Sequence, residues 1–456
     1  MANFKKLAKK YEENAILALQ EFVAKDSVYD EKSITPDAPY GKGVKNALDY
    51  IAKLGNDFGF KVDKCDGHAT ELTYGEGNGP LIGIYAHSDV VPATGKWTYP
   101  PFSAKIVGEG KEAKMYGRGT SDDKGPLIAA LYACKLLKDN GLVDNYRIRL
   151  VAGGDEERGS SCLNYYFHKL NKPASDYGFT PDADFPLIYA EKGMVSKTFA
   201  KRKIDLSPII AMDGGVVANA VCDKLVVTLP SDKKLKDAWK AELGDLSDCG
   251  KIFVLTFKGK SAHGSTPELG ENAALKAFAF LGGLYKNKFL TNLAKIFEDC
   301  HGKGFGGYSN SKELGESTYN IGIVKYVNGE LSFSIDYRYG EEAKPEEAIA
   351  NLKKAAEMDV DVAAYVPYLL YDKKSPLVST LMKSYKRMTL KLFDKPLAIG
   401  GGTYAKEAPN CVAYGSAFKN HPGDIHSPNE YIYIDDFTAQ IAIYADAIYS
   451  LGQIKK

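Results

Sequence analysis

Residues 80–91 read PLIGIYAHSDVV. The run PLIGIYA is apolar at nearly every position, which is typical of a strand buried on both faces of a sheet. His87 and Asp89 follow at the point where such a strand reaches the surface. A His-x-Asp pair is common by chance, so its meaning depends on whether other parts of the chain supply chemical partners.

Strand-like and helix-like segments alternate around this stretch. PLIAALYACKLLKDNG (126–141) repeats its apolar residues at helical spacing and ends at a glycine, and YRIRLVAG (146–153) alternates like a strand. This order predicts an α/β domain with a mixed sheet covered by helices. The pattern between residues 195 and 372 is different, because antiparallel-strand signals and helices there predict an inserted α+β domain. Residues 1–194 and 373–456 then form one domain and residues 195–372 the insertion.

Composition and charge exclude several classes of partner. The chain has 59 Lys and Arg against 58 Asp and Glu, and a nucleic-acid or anionic-membrane partner normally requires a basic excess. No uninterrupted apolar run is long enough to span a membrane, and the N-terminal segment lacks the apolar core of a signal peptide. Seven scattered cysteines without a CxxC pair indicate a reducing compartment. We therefore expect a cytoplasmic protein with no nucleic-acid or membrane partner.

Acidic residues and histidines recur where the predicted strands end. Four segments carry them: YGRGTSDDKGP (116–126), VAGGDEERGS (151–160), GFTPDADFP (178–186) and NHPGDIHSPNE (420–430). Each alone has an ordinary explanation, as a helix N-cap, a solvated loop or an incidental histidine. Their coincidence is informative because ligands bind at the carboxyl ends of strands in open α/β sheets.

The candidate ligands are two imidazoles and three carboxylates. This set suits zinc, with cobalt or manganese as substitutes. One zinc ion would leave ligands unused, whereas two ions roughly 3.5–4 Å apart would use them all with one bridging carboxylate. The candidates are His87, Asp122, Glu157, Asp182 and His426. The adjacent carboxylates of Glu156 and Glu157 can divide the work, one binding metal and one handling protons.

Six segments in one order resemble a known family. AHSDVVP, GRGTSDDKG, GGDEERGS, PDADFP, SAHGSTPELGENA and DIHSPNE are similar to the motifs of the dinuclear zinc peptidases and deacylases. That family includes dipeptidases, glutamate carboxypeptidase, aminoacylase and succinyl-diaminopimelate desuccinylase. The resemblance covers nearly the whole chain, and GGTYAKEAPNCVAYG with HSPNE is most similar to bacterial Xaa-His (β-alanyl) dipeptidases.

The resemblance implies a metal role for each candidate ligand. His87 and Asp182 would hold one zinc ion, and Glu157 and His426 would hold the other. Asp122 would bridge the two ions. The discontinuous domain would then be the catalytic dizinc domain, and the insertion would be an enlarged lid.

Two neighbouring acids acquire roles beside these ligands. Asp89 would support His87, fixing its tautomer and raising its basicity. Glu156 would be the general base that takes a proton from water and returns it to the departing amine. The opening His-x-Asp pair would therefore be a ligand and its support.

The resemblance also assigns residues to the substrate. His263 would stabilise the developing oxyanion from the lid. Asn219 would lie near the substrate, although Val221-Cys222 replaces the usual Val-Pro after it. Arg338 would pair with the substrate carboxylate, although Gly340 replaces a frequent proline. Backbone N–H groups of the glycines and the Thr403 hydroxyl would contact the same carboxylate; these are Gly401, Gly402 and Thr403.

The function that follows is hydrolysis of short, unblocked peptides by a two-zinc metallodipeptidase. An N-acyl amino acid amidohydrolase, a deacetylase or desuccinylase, is the alternative within the same family. A zinc-binding protein without catalysis is the alternative outside it, and Glu156 argues against that because a storage site needs no base. The dipeptidases that this chain resembles have a similarly enlarged lid that supplies the histidine within the same chain, so the resemblance implies a monomer in which His263 acts within its own chain.

Overall fold

The computed structural model describes residues 2–455. Ten α-helices lie within that range, and they begin and end as follows: α1 Phe4–Val23, α2 Lys42–Asp57, α3 Lys124–Asp139, α4 Ser161–His168, α5 Lys233–Ala238, α6 Ala273–Leu284, α7 Lys288–Ile296, α8 Pro345–Ala356, α9 Pro376–Thr389 and α10 Ile434–Gly452. Every helix in residues 2–455 is too short or too polar to cross a membrane.

The strands of the described chain are mostly short. In order they are β1 Lys61–Asp63, β2 Ala69–Tyr74, β3 Leu81–His87, β4 Lys105–Val107, β5 Lys114–Tyr116, β6 Arg147–Gly153, β7 Tyr177–Thr180, β8 Ile188–Glu191, β9 Gly193–Lys203, β10 Ala211–Gly214, β11 Lys224–Pro230, β12 Gly244–Asp248, β13 Ile252–Lys258, β14 Asn310–Ser311, β15 Gly315–Glu316, β16 Thr318–Val327, β17 Glu330–Tyr339, β18 Asp359–Asp361, β19 Ala364–Val366, β20 Leu369–Leu370, β21 Leu397–Ile399, β22 Cys411–Ala413 and β23 Tyr431–Tyr433.

The chain divides into two compact units. The first contains residues 1–189, 371–397 and 403–456, and the second contains residues 190–370 and 398–402. The short segment 398–402, which the sequence analysis placed with the C-terminal return, therefore groups with the second unit. The catalytic and lid roles given to the two parts stay predictions.

The first unit is built on a mixed sheet with the strand order β1-β2-β6-β3-β7-β22-β8. Strand β3 runs parallel to both β6 and β7, and every residue of β3 is buried. This explains the continuous apolar run in the sequence, because neither face of the strand meets water. Helices α3 and α10 pack on β3, and α2 and α4 pack on β2. The predicted α/β class with a mixed sheet covered by helices is confirmed.

The second unit has its own antiparallel sheet, with the order β12-β13-β11-β10-β16-β17-β9-β18. Along β11 and β13 the burial alternates with a period of two, so one face of the sheet packs inward. Helix α6 covers β11 and β13, and α7 packs between α6 and α8. A contiguous apolar core lies between these helices and the sheet, with Phe257, Phe278 and Phe333 among its buried members.

Candidate metal centre

Three neighbouring parallel strands of the first unit end at one edge of the sheet. His87 is the last residue of β3, and its Cα pairs with that of Gly153, the last residue of β6. Glu157 follows β6 after a short turn, and Asp182 follows the end of β7. Because the strands are adjacent and parallel, these side chains meet at the edge where ligands bind in α/β sheets.

Two loops complete the arrangement. Asp122 lies directly before α3, and His426 lies in the loop between β22 and β23. His426 has a φ of +59°, in the left-handed region that residues with a side chain seldom adopt. Such a backbone at a residue that faces other polar side chains is a frequent feature of functional sites.

The five predicted ligands form two groups that share Asp122. One group is His87, Asp122 and Asp182, the other is Asp122, Glu157 and His426, and the ligand atoms within each group lie within 4.8 Å of one another. Asp122 Oδ1 is 2.9 Å from His87 Nε2, whereas Oδ2 is 2.9 Å from His426 Nε2. The two oxygens of one carboxylate thus face different imidazoles, as a bridging ligand requires.

The remaining distances are consistent with two adjacent coordination sites. His87 Nε2 is 3.8 Å from Asp182 Oδ2, and His426 Nε2 is 3.2 Å from Glu157 Oε1. The His87 side chain is fully buried, whereas that of His426 is 52% exposed. Within the first unit, solvent therefore reaches the centre from the His426 side.

The electrostatics of the metal-free chain reflect crowding of carboxylates. Burial, and then the charge of Asp122, raise the pKa of Asp182 to about 7. Burial also raises the pKa of Glu157, again with Asp122 as the next cause. Hydrogen bonds to Asp122 and Glu157 raise the pKa of His426 to about 10. Burial and mutual repulsion disfavour the charged forms of these acids, and positive charge within the cluster would stabilise them.

The donor set fits divalent cations. Two imidazole nitrogens and three carboxylates are ligands of zinc and related ions, and the two groups offer two sites with a shared oxygen bridge. The cysteine closest in sequence to any of the ligands, Cys162, contacts the Tyr404 hydroxyl instead.

Asp89 lies against His87 with both its main chain and its carboxylate. Nδ1 of His87 donates to the main-chain oxygen of Asp89 at 2.9 Å, while the Asp89 carboxylate lies 3.4 Å away. That carboxylate accepts the backbone N–H groups of Glu156 and Glu157 at 3.1 and 3.2 Å. Asp89 therefore fixes the His87 tautomer through its carbonyl and holds the neighbouring loop through its carboxylate.

Glu156 lies beside the ligands without joining either group. Burial raises the pKa of its carboxyl well above the ordinary range, and the negative charge of Asp182 is the next cause. A carboxylate with a raised pKa can accept a proton and hold it near neutral pH. This is the property that a general base at this position needs.

Sequence reasoning missed three residues that support the centre. Buried Glu430 accepts four hydrogen bonds: from Arg118 Nη1 at 2.6 Å and from the N–H groups of Gly119, Ser121 and Asp122 at 3.0, 2.9 and 3.2 Å. The Glu430 carboxylate thus fixes the backbone of the loop that carries Asp122. Its position four residues after His426, within the quoted DIHSPNE, was the available signal.

Asp123 and Tyr404 are the other two residues that support the centre. Asp123 Oδ2 accepts the backbone N–H of His87 at 3.0 Å, so this acid anchors the end of β3. The ring of Tyr404 lies edge-on to the His87 imidazole, with 6.1 Å between the ring centroids. Neither contact has a spacing in the sequence that would reveal it.

The predicted substrate residues of the second unit lie on its own framework. The exposed His263 follows β13, and its neighbour Gly264 donates to the Asn219 carbonyl at 2.7 Å. Arg338 is nearly buried in β17, where Nε and Nη2 donate to Asp336 at 2.6 and 3.1 Å. The pair occupies alternate positions of one strand and hence one face of the sheet.

Along the chain, the glycine-rich turn lies where the last segment of the second unit ends and the first unit resumes. Arg338 Nη1 donates to the Gly400 carbonyl at 3.0 Å. Gly401 and Gly402 follow in the second unit, and Thr403 begins the next segment of the first, where its hydroxyl accepts the Ala405 N–H at 3.1 Å. The substrate roles of these residues stay predictions.

The parallel strand ends of the mixed sheet carry two linked groups of nitrogen and carboxylate donors, an arrangement that suits metal-dependent hydrolases. Residues 83–450 match the family described as Peptidase family M20/M25/M40. The match spans most of the chain, so the chain belongs to this family and is a metallopeptidase. The predicted resemblance to the dinuclear zinc peptidases is confirmed at the level of the family.

Individual relatives and solved structures match over almost their full length. The chain is 33% identical to "Putative dipeptidase YtjP" of Bacillus subtilis (strain 168), over 97% of this chain and 98% of that protein. Human carnosine dipeptidase 1 has a similar fold, with a TM-score of 0.59, 13% identity and full coverage of both chains. The Bacillus subtilis YXEP protein, described as a dinuclear metal binding peptidase from the M20 family, has a TM-score of 0.53 at 10% identity, over 97% of this chain and 98% of that one.

Proposed function

We propose that this chain is a dipeptidase that hydrolyses the peptide bond of short peptides with a free amino terminus. The observation that carries the proposal is the geometry of Asp122, whose two oxygens face His87 and His426 at 2.9 Å each. A bridging carboxylate between two nitrogen-containing ligand groups is the core of a dinuclear hydrolytic centre. Relatives that match over nearly their whole length carry the name "Putative dipeptidase", which supports the choice of a short peptide as substrate.

We propose zinc as the metal, with cobalt or manganese as substitutes. His87 and Asp182 would hold one ion, Glu157 and His426 the other, and Asp122 both. When bound, the pair of ions acts as a Lewis acid toward a water molecule and the substrate carbonyl. The absence of thiolate among the donors and the mixture of imidazole and carboxylate support this assignment.

The chain's own groups would move the proton. A carboxylate oxygen of Glu156 accepts a proton from the attacking water, whose oxygen forms a bond to the carbonyl carbon. When the C–N bond breaks, Glu156 returns the proton to the departing amine nitrogen. The raised pKa of this carboxyl suits it to hold the proton between the two steps. Asp89 keeps Glu156 in place through the backbone of its loop.

The second unit would act as the lid and bind the substrate. His263 would donate to the carbonyl oxygen as negative charge develops, and Asn219 would lie near the substrate. Arg338 with the N–H groups of Gly401 and Gly402 and the hydroxyl of Thr403 would hold the terminal carboxylate. A site that requires that carboxylate favours dipeptides over long chains.

The decisive experiment measures metal content and substrate preference together. Purified chain is expected to contain two zinc ions and to cleave free dipeptides faster than their N-acetylated analogues. Asp122→Asn should lose at least one ion and nearly all activity, whereas Asp144→Asn, an exposed acid of the same unit, should lose neither. A preference for the N-blocked compounds would favour the amidohydrolase instead. Two bound ions with no hydrolysis of any dipeptide would favour a metal-binding protein.

We also propose that the enzyme is a monomer in which His263 acts on the substrate of its own chain. The second unit has its own sheet and core and the size of an additional domain, which supports this arrangement. Mixing His263→Ala with Glu156→Ala should not restore activity. Recovery on mixing would show that the histidine is supplied by a partner chain.

A further inference from the structure

His263 is held by its backbone on both sides. It forms an isolated β-bridge with Ala220, and the following Gly264 donates its N–H to the Asn219 carbonyl at 2.7 Å. A β-carbon at position 264 would collide with the Asp336 carboxylate, so the turn after His263 packs closely on that residue. These contacts fix the backbone of His263. The orientation of its exposed imidazole depends on further contacts.

That constraint comes from Ser265. The backbone N–H of Ser265 donates to His263 Nδ1 at 3.2 Å, and the Ser265 hydroxyl lies 2.7 Å from the same nitrogen. A backbone N–H is always a donor, so this 3.2 Å contact favours the tautomer in which Nδ1 is unprotonated, and the closer hydroxyl strengthens that preference. The hydroxyl then donates as well, and the ring proton resides on Nε2.

Ser265 is itself fixed by the framework of the second unit. A β-carbon on Gly400 would lie 2.6 Å from the Ser265 β-carbon, so the two backbones approach closely there. The Gly400 carbonyl accepts Arg338 Nη1, and Arg338 is paired with Asp336. The Asp336 carboxylate lies against Gly264. A connected set of contacts through Gly400, Arg338 and Asp336 therefore holds the turn 263–265.

We propose that Ser265 is a positioning residue that locks His263 in the tautomer with the proton on Nε2. The inference rests on the proposed function, in which His263 donates to the substrate carbonyl oxygen. Nε2–H can donate to that oxygen as its charge grows, whereas the other tautomer would present a lone pair and repel it. Ser265 thereby acts on the reaction through His263 without touching the substrate.

The direct test is ¹⁵N NMR of the histidine ring nitrogens in the full chain. The signals of His263, identified by their loss in His263→Asn, should show a protonated Nε2 and an unprotonated Nδ1. In Ser265→Ala the two shifts should move toward each other, because the closer of the two Ser265 donors is lost and the second tautomer becomes populated. Ser261→Ala, which alters an exposed serine before the same histidine, should leave both shifts unchanged.

Kinetics supply the second readout. Ser265→Ala should lower kcat about 3- to 10-fold with little change in KM, since one neutral hydrogen bond acts on the transition state. A protonated Nδ1 in the unaltered protein, or identical ring shifts in Ser265→Ala, would overturn the proposal. If the unaltered protein cleaves no peptide while the shifts respond as expected, the proposed function fails and the tautomer assignment does not.

Discussion

Glu430→Gln is the substitution that most selectively tests how the Asp122 loop is held. Oε1 of Glu430 accepts the three backbone N–H groups of the loop, whereas Oε2 accepts Arg118 Nη1 at 2.6 Å. Glutamine can keep its amide oxygen at the Oε1 position and retain the three backbone hydrogen bonds. Its NH₂ group then faces Arg118, so the substitution breaks the ion pair and little else.

The magnitude follows from the burial of both partners. The side chain of Arg118 is 1% exposed and that of Glu430 is fully buried, so the guanidinium cannot turn to water once its partner is lost. Removing one partner of a buried pair costs about 3–5 kcal/mol. We expect Glu430→Gln to destabilise the first unit by this amount. Divalent metal ions should also bind more weakly, because the loop that carries Asp122 is less fixed.

The chain offers a local probe for this measurement. The ring of Trp97 lies over the Arg118 guanidinium, 5.3 Å from its carbon, and the only other tryptophan is Trp239 in the second unit. In a Trp239→Phe background, tryptophan fluorescence during urea unfolding therefore reports the first unit alone. Burial raises the pKa of Glu430 to about 7. The unfolding of Glu430→Gln and of the unaltered protein should therefore be compared near pH 8, where the carboxylate is ionised.

A double-mutant cycle between Glu430 and Arg118 tests whether their ion pair holds the loop. Arg118→Met removes the charge that Glu430 compensates, so Glu430→Gln should cost much less in that background. Glu13→Gln, an exposed acid of α1, should change the free energy of unfolding by less than about 0.5 kcal/mol. A cost of Glu430→Gln below about 1 kcal/mol, or an equal cost with and without Arg118, would show that the pair does not hold the loop.

Three further predictions concern the metal centre and its support. Gly153→Ala should destabilise the chain by about 1–3 kcal/mol in urea titrations, because a β-carbon there would collide with the Tyr404 hydroxyl. Adding Tyr404→Phe removes that hydroxyl and should recover part of the lost free energy of unfolding. Metal uptake should release protons and strengthen as the pH rises from 6 to 8, because Asp182, with a pKa of about 7, and His426, with a pKa of about 10, must each lose a proton to bind. Calorimetry in two buffers measures the protons released, and an affinity independent of pH over this range would contradict the prediction. Asp89→Asn should weaken metal binding about 10- to 100-fold in a competition assay with a chelator, because the asparagine amide cannot accept the N–H groups of both Glu156 and Glu157. Unchanged affinity would show that the loop of Glu156 and Glu157 keeps its position without the Asp89 carboxylate.

The amino-acid sequence by itself determined the elements on which the centre is built. A continuous apolar run predicted β3, helical spacing predicted α3, and alternation predicted β6, all within a few residues of their observed bounds. Local periodicity reveals such elements because each depends on which of its own faces is buried. The order of the motifs along the chain was sufficient to predict the family as well.

Tertiary structure alone decided how the side chains meet. The strand order β6-β3-β7 brings His87 and Asp182 together, and Glu430 binds the Asp122 loop across about three hundred residues of sequence. Contacts of that separation leave no spacing pattern in the sequence, because packing of the whole domain sets the distance between the partners. The same holds for Ser265 and Gly400, whose close approach places the segment 398–402 in the second unit. Sequence therefore specified which groups carry the chemistry, and the fold specified which oxygen or nitrogen of each group faces which neighbour.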